Sequence, residues 1–306
     1  MLLEHISEEF SGVKFGDKRL STRFLMLMNS FASFFQRSIP DACGSGSDIK
    51  AAYRFFGNRK VNMHSIHQSH LETLSEKVRQ HKLVLNIQDT TKLNYFSHKS
   101  KKDCGHIGTG FKTGRSLGYW MHTGIVLDAA GVPLGISSNE VWSRAQTNTK
   151  SRLEEKNDSY KWIEGKNASR ALLTEGTKII QIADRQADIF TFLYECINDG
   201  FSFLVRSKTN RIITTSTDSD AKKEMLYEYM DNQPIIYTDQ LSIESNSKRK
   251  AANFKVDIRK GRVVLSSPAS RTRNMDAKKP RQLEVNAILV TSSTKINGQE
   301  IRWLLA

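Results

Sequence analysis

Apolar residues recur at helical spacing early in the chain and in short alternating runs later, and the change falls near residue 82. Over residues 19–37, Leu20, Phe24, Met28 and Phe31 lie three or four apart, which predicts an amphipathic helix. Arg19 and Arg23 are four apart, so both can point from one face. Pro40 and the run CGSGSD mark a break. A second helix, IKAAYRFF, is expected to start with Asp48 as its cap and to end near Gly57. A third, over residues 63–81, follows Asn62 as N-cap. Residues 1–81 therefore read as a small helical unit behind a short acidic lead.

From residue 82 the pattern is that of strands. Residues 82–88 (KLVLNIQ) form a β-rich run ending at Asp89, and a Gly- and Lys-rich loop over 97–114 follows. Residues 117–127 and 132–142 are strand-like and joined by a short AAG turn, a hairpin signal. Residues 159–175 read as a helix, 178–183 (KIIQIA) as a strand ending at Asp184, 187–198 as a helix and 201–206 as a strand. The order strand, hairpin, helix, strand, helix, strand suggests an α/β sheet of mixed pairing. Residues 207–299 turn polar and β-prone, with basic clusters at 248–250 and 278–281, and a last strand covers 301–306.

Composition narrows the partners. Lys and Arg number 46 against 32 Asp and Glu, a net charge of +14, which favours a polyanion: nucleic acid first, an anionic membrane surface second. The three cysteines form no C-x-x-C pair, so neither a zinc site nor a disulfide framework is expected, and a reducing cytoplasm fits. No apolar run approaches a membrane span, and the acidic N-terminus does not read as a signal peptide.

Two strands each end in an Asp. If those strands lie side by side and parallel, Asp89 and Asp184 meet at their carboxyl ends, where open α/β sheets place their sites. Paired carboxylates attract a divalent cation, and two such ions can drive attack on a phosphodiester. Many strands end in Asp only because Asp turns and caps well, so spacing alone leaves both readings open.

The stretches QDTTKLNY (88–95) and ADRQADIF (183–190) resemble the two Asp-bearing motifs of bacterial cut-and-paste DDE transposases of the Tn-five type, within the IS-four family. FGDKRLSTR (15–23) and AAYRFFGN (51–58) are similar to that family's N-terminal DNA-binding segment. GYWMHT (118–123), FLVRSK (203–208) and IRWLL (301–305) resemble later strands of its core, in the same order. The resemblance implies a ribonuclease-H-like (retroviral-integrase-like) core over 82–306, with a β-rich insertion at about 207–299, behind a helical DNA-binding domain over 1–81. It implies that Asp89 and Asp184 are catalytic acids and ligands of Mg²⁺ or Mn²⁺, and that Arg19, Arg23, Arg54 and Arg206 contact DNA. Trp303 falls on the aromatic that stacks on a flipped base. The implied partners are double-stranded DNA, as transposon ends and target, and a second protomer on that DNA, in a bacterial cytoplasm at the nucleoid.

The family's third acid, a Glu on a helix after the last strand, is expected beyond Ala306, and Glu300 lies in the wrong element to replace it. Weak or no strand transfer is therefore expected, and a truncated, catalytically inactive DNA- or protein-binding remnant is the alternative. Plainer readings stand beside several candidates. Asp188 is expected to cap or solvate a helix, and His64, His67 and His70 to be solvated or partly packed rather than metal ligands. Trp120 and Trp142 are expected in the core, and the lysines of 99–102 and 248–250 on solvated loops or on phosphates.

Overall fold

Polar side chains set where the N-terminal helices begin. The computed structural model describes residues 2–95, 97, 104–107, 117–143, 160–218, 221–245, 251–267, 281–296 and 299–306. The lysine runs at 99–102, 248–250 and 278–279 lie outside the described residues, as does most of the 97–114 loop. Helices α1 (Leu2–Glu9), α2 (Lys18–Ser33), α3 (Ile39–Cys43), α4 (Gly46–Phe56) and α5 (Met63–Val78) come first. Asp17 caps α2 by accepting from the Arg19 N–H, and Asn62 caps α5 by accepting from the Ser65 N–H. Helix α4 starts earlier than expected. Its cap is Ser45, whose hydroxyl accepts from the Asp48 N–H while donating to the Asp48 carboxylate, so Asp48 sits in the first turn. Phe15, Phe24 and Phe55 are buried together in edge-to-face and stacked pairs 5.7–6.1 Å apart, which joins the loop before α2 to α2 and α4. No described helix is long and apolar enough to cross a membrane.

The first sheet follows, built from β1 (Leu83–Asn94), β2 (Gly105–His106), β3 (Leu117–Asp128), β4 (Pro133–Trp142), β5 (Lys178–Ala183) and β6 (Ser202–Val205). Helix α6 (Tyr160–Ser169) lies between β4 and β5, and α7 (Phe190–Asn198) between β5 and β6. Across the sheet the path is β4–β3–β1–β5–β6, with the short β2 also paired to β3. Only β3 runs against its neighbours: it is antiparallel to β1 and β4, while β5 is parallel to β1 and β6 to β5. One face carries Val84, Val126 and Ile179, buried with Leu74 of α5, Trp162 of α6 and Phe192 of α7. On the opposite face Ile87, Ile125 and Ile136 are exposed. Strand β1 does not end at Asp89. It continues along β3 to Asn94, and it is β5 that leaves β1 after the pair Gln88–Ala183.

The second sheet is antiparallel. It comprises β7 (Ile212–Thr214), β8 (Lys223–Met225), β9 (Ile235–Ile243), β10 (Ala252–Ser266), β11 (Gln282–Ile296) and β12 (Gln299–Leu305), with α8 (Leu226–Asp231) between β8 and β9. Its path is β12–β11–β10–β7–β8, and β9 pairs with β10. The chain leaves the first sheet at β6 and returns to it through β12. Val205 and Ala306 exchange backbone hydrogen bonds of 2.9 Å, and the Ser207 N–H donates to the Leu304 carbonyl at 2.8 Å. Apolar residues from both sheets form one continuous core, from Val84 and Phe192 to Leu265 and Leu289.

Helix α5 docks the N-terminal helices on strand β4. The His70 Nε2 accepts from the Ile136 N–H at 2.7 Å, and its Nδ1 lies 2.7 Å from the Glu9 carboxylate. Lys77 pairs with Glu9 and donates to the Leu134 carbonyl at 3.4 Å. His70 is thus a tie between elements, consistent with its packed reading, while His64 is exposed. Burial holds its imidazole below the usual range, against the opposing pull of Glu9.

Candidate functional site

The parallel register decides which residues lie at the top of the first sheet. Gln88 and Ala183 are the last pair of β1 and β5, so the residues that follow are Asp89, still within β1, and Asp184, just past the end of β5, and both are exposed. Asp184 caps the 3₁₀ turn Arg185–Ala187, accepting from the Gln186 N–H at 2.8 Å. Among the described residues, no group of three or more His, Cys, Asp or Glu is close enough to hold a metal ion.

Cationic and aromatic groups flank Asp184. Arg206 follows β6 and donates its N–H to the Ala183 carbonyl at 3.2 Å, which sets it beside the Asp184 turn. Burial, then the nearby Arg185 charge, lowers its pKa, and Tyr227 and Asp184 oppose the change. Its guanidinium lies 5.7 Å from the centre of the Trp303 ring, a cation–π pair. Trp303 is half-buried on β12 and packs against Phe254, Val256 and Ile301. Arg302 lies over Tyr227 at 4.8 Å. The Asp188 carboxylate is neither a helix N-cap nor solvated, contrary to expectation, being buried beside the first residues of the second sheet. Its carboxylate pairs with Arg211 and accepts from the Lys208 N–H at 2.7 Å, which binds the start of the second sheet to the first.

Under Asp89 lies a chain of buried polar side chains that pattern reading did not single out. Gln181 on β5 accepts through Oε1 from the amide groups of Asn86, at 2.7 Å, and Gln88, at 2.9 Å. Its own Nε2 donates to the Ser169 hydroxyl at 2.8 Å. Gln88 Oε1 is 3.0 Å from His122 Nε2, and His122 Nδ1 is 2.9 Å from the Thr90 hydroxyl. Since Gln88 offers an acceptor, His122 carries its proton on Nε2 and takes the Thr90 proton on Nδ1. One imidazole therefore holds both residues that flank Asp89. Gly165 of α6 permits this, because a Cβ there would lie 2.3 Å from Gln88 Oε1. Trp120 and Trp142 are half-buried rather than central core. With Trp162 they surround the Lys161 ammonium at 5.5–6.0 Å, and that ammonium reaches Gln186 at 3.5 Å.

On the N-terminal helices, Arg19 and Arg23 project from α2 and Arg54 from α4. Arg19 is paired with Asp17 at 3.0 Å and Arg23 with Asp48 at 3.2 Å, whereas Arg54 is exposed. Hydrogen bonds from Arg19 hold Asp17 below the usual carboxylate range, and those from Ser45 and Arg23 do so for Asp48.

Comparison with known proteins locates a function on these helices. Residues 4–61 match the family described as transposase DNA-binding. That stretch runs from α1 to the loop before α5 and includes Arg19, Arg23 and Arg54, so the chain has a transposase-like DNA-binding segment. Among solved structures, the chain has a distant likeness to a piggyBac transposase in a synaptic complex with hairpin DNA, at 9% identity and a TM-score of 0.33. The alignment covers 99% of this chain and 49% of that one, so this chain spans about half of the other's length.

Proposed function

We propose that the protein is a transposase of the DDE kind, in which the N-terminal helices grip transposon-end duplex and a ribonuclease-H-like first sheet presents Asp89 and Asp184 to the scissile phosphate. The observation that carries the reading is the parallel β1–β5 register, which makes the two acids neighbours downstream of a transposase DNA-binding match. The order β4–β3–β1–β5–β6 with β3 alone reversed supports a ribonuclease-H-like core, and the second sheet fits an insertion between β6 and β12. The detailed kinship we favour is the Tn-five type.

Asp89 and Asp184 fit as two ligands of Mg²⁺ or Mn²⁺, being exposed carboxylates that directly follow the last residue pair of two adjacent parallel strands. When bound, the metal would supply Lewis-acid activation of water or a 3′-hydroxyl and neutralise charge on the leaving oxygen. The protein's own groups would then orient the duplex. Arg206 and Arg185 lie where a phosphate approaching Asp184 would meet positive charge. Trp303 would stack on an unpaired base once that base replaces the Arg206 guanidinium on its ring. Two protomers would hold two ends.

The test has two parts. Binding to an element-end duplex should weaken steeply between 50 and 200 mM salt, by the on-the-order-of-thousandfold loss typical of several phosphate contacts. Nicking of that duplex with Mg²⁺ or Mn²⁺ should vanish in Asp89→Asn and in Asp184→Asn. Salt-insensitive binding, or nicking indifferent to both substitutions, would overturn the proposal. A second reading, a DNA-binding protein without strand transfer, is favoured by the lack of a third acidic neighbour among the described residues. It holds if end DNA is bound normally and neither metal elicits a nick.

A further inference from the structure

Asp89 lies in β1 and Asp184 directly follows β5, so how near they are placed depends on one register out of several. A slip of one residue would turn the core face of β5 outward, and the two-residue period of strands forbids it. A slip of two residues is harder to exclude. It keeps each face and exchanges one aliphatic side chain for another, since Leu85 and Ile87 of β1 face Ile180 and Ile182 of β5. Such a slip would carry Asp184 along β1 by about 6.6 Å. That exceeds the spacing of about 4 Å between ions in a paired-metal site.

The three buried amides discriminate where the aliphatic residues do not. Asn86, Gln88 and Gln181 are each no more than 2% exposed, and Gln181 takes a hydrogen bond from both of the others. Moving Gln181 opposite Gln88 strands the Asn86 amide, and moving it opposite Val84 strands the Gln88 amide. Each slip leaves a buried donor unpaired, which folding strongly disfavours. The network also has little slack. The Asn86 carbonyl accepts from Ser137 at 2.6 Å, the Gln88 carbonyl is bonded to His122, and Gln181 donates to Ser169.

We infer that Gln181, with Asn86 and Gln88, is the register lock of the parallel pair, and that these amides with His122 are positioning residues for the carboxylate site. The functional meaning rests on the reading of Asp89 and Asp184 given above, but the register can be measured without it. Ile87 and Ile182 are register partners on the exposed face, and Ile87 and Ile180 would approach after a two-residue slip. Cysteine pairs at 87/182 and at 87/180, in a background with Cys43→Ser, report the two alignments through a short thiol-specific cross-linker.

In the parent the 87/182 product should dominate. Gln181→Met keeps the size and removes all three of its side-chain hydrogen bonds, including the two it accepts across the strand pair, so the ratio of 87/182 to 87/180 product should fall at least fivefold. Gln181→Glu should restore the ratio. Its buried carboxyl, in the neutral form, offers a carbonyl oxygen to Asn86 and Gln88 and an O–H to Ser169. A role in stability alone predicts the reverse order, because a buried carboxyl destabilises more than methionine does. An unchanged ratio in Gln181→Met, or equal loss in both variants, overturns the inference. Indifference of DNA nicking to Asp89→Asn would remove the proposed chemistry and leave the register result standing.

Discussion

His122 has both ring nitrogens engaged in a site that is 2% exposed, and that makes it sensitive to protonation. Burial, with the Lys161 charge adding to it, lowers its pKa from 6.5 to about 4. Between those values the unfolded chain binds a proton that the folded chain refuses. The stabilisation is therefore complete above pH 6.5 and is lost as pH falls toward 4, by on the order of 3 kcal/mol. Urea unfolding at pH 7.5 and pH 5 should differ clearly for the parent and less for His122→Gln. The residue of the effect belongs in part to His70, whose pKa is lowered in the same sense. An identical pH difference in both proteins would exclude His122 as the source. At Gly165 two effects compete. Alanine would favour helix α6 by about 1 kcal/mol, but its Cβ would meet Gln88 Oε1 at 2.3 Å. That oxygen is bonded to His122 and cannot swing away, so overpacking wins, and Gly165→Ala should lower stability by about 1–3 kcal/mol net. Denaturant midpoints no lower than the parent's would show that the contact relaxes. Asp89 and Asp184 stand out in the sequence because each is an acid directly after a β-rich run. Gln181, His122 and Gln88 do not, since nothing in a sequence separates a buried amide from an exposed one until its partners on other strands are known.

The elements that could be read from sequence are those with local causes. Helices α2 and α5 follow from an apolar stripe and a capping side chain, and the β3–β4 hairpin from its tight turn. Helix α4 was read with its start displaced because Ser45 and Asp48 both suit a cap, and only the hydrogen-bond directions separate them. Helices α1 and α3, eight and five residues long, are too short to leave a periodic signal in the sequence. Strand β1 overruns Asp-Thr-Thr, a turn-like sequence, because β3 supplies partners as far as Asn94, a long-range cause. The α5–β4 contact is equally non-local. His70→Ala would leave the Ile136 N–H without its partner and the Glu9 carboxylate without its neighbour. A loss of about 1–3 kcal/mol is expected for the unmade bond. Amide hydrogen exchange at Ile136 should quicken along with this loss, and unchanged protection there would mean that the tie is replaced by water.

At the scale of the whole molecule, the charge of +14 states only that a polyanion is welcome, and the proposed DNA contacts are tested arginine by arginine. Arg23 and Arg54 lie on α2 and α4 within the segment that matches transposase DNA-binding domains, yet they begin from different states. Arg54 is exposed and, on the proposed reading, would meet a phosphate without first parting from an acid among the described residues. Arg23 must first part from Asp48, which itself would face the incoming phosphate. The two sites therefore make opposite predictions for changes that each remove one charge. Arg54→Ala should weaken binding of all duplexes alike and reduce the slope of log affinity against log salt by about 1, the signature of one lost phosphate contact. Asp48→Asn should strengthen binding, since it releases Arg23 and removes a repelling carboxylate, while the Ser45 cap of α4 remains. Titrations of one element-end duplex and one unrelated duplex across a salt series measure both. A stronger complex for Asp48→Asn, with a parallel gain on both duplexes, would place Arg23 on the backbone of the DNA rather than on its bases. A weaker complex would assign the Arg23–Asp48 pair to holding α2 and α4 in their binding arrangement. The DNA-facing surface would then turn on Arg54 and Arg19, and Arg23 would act through its position rather than its charge.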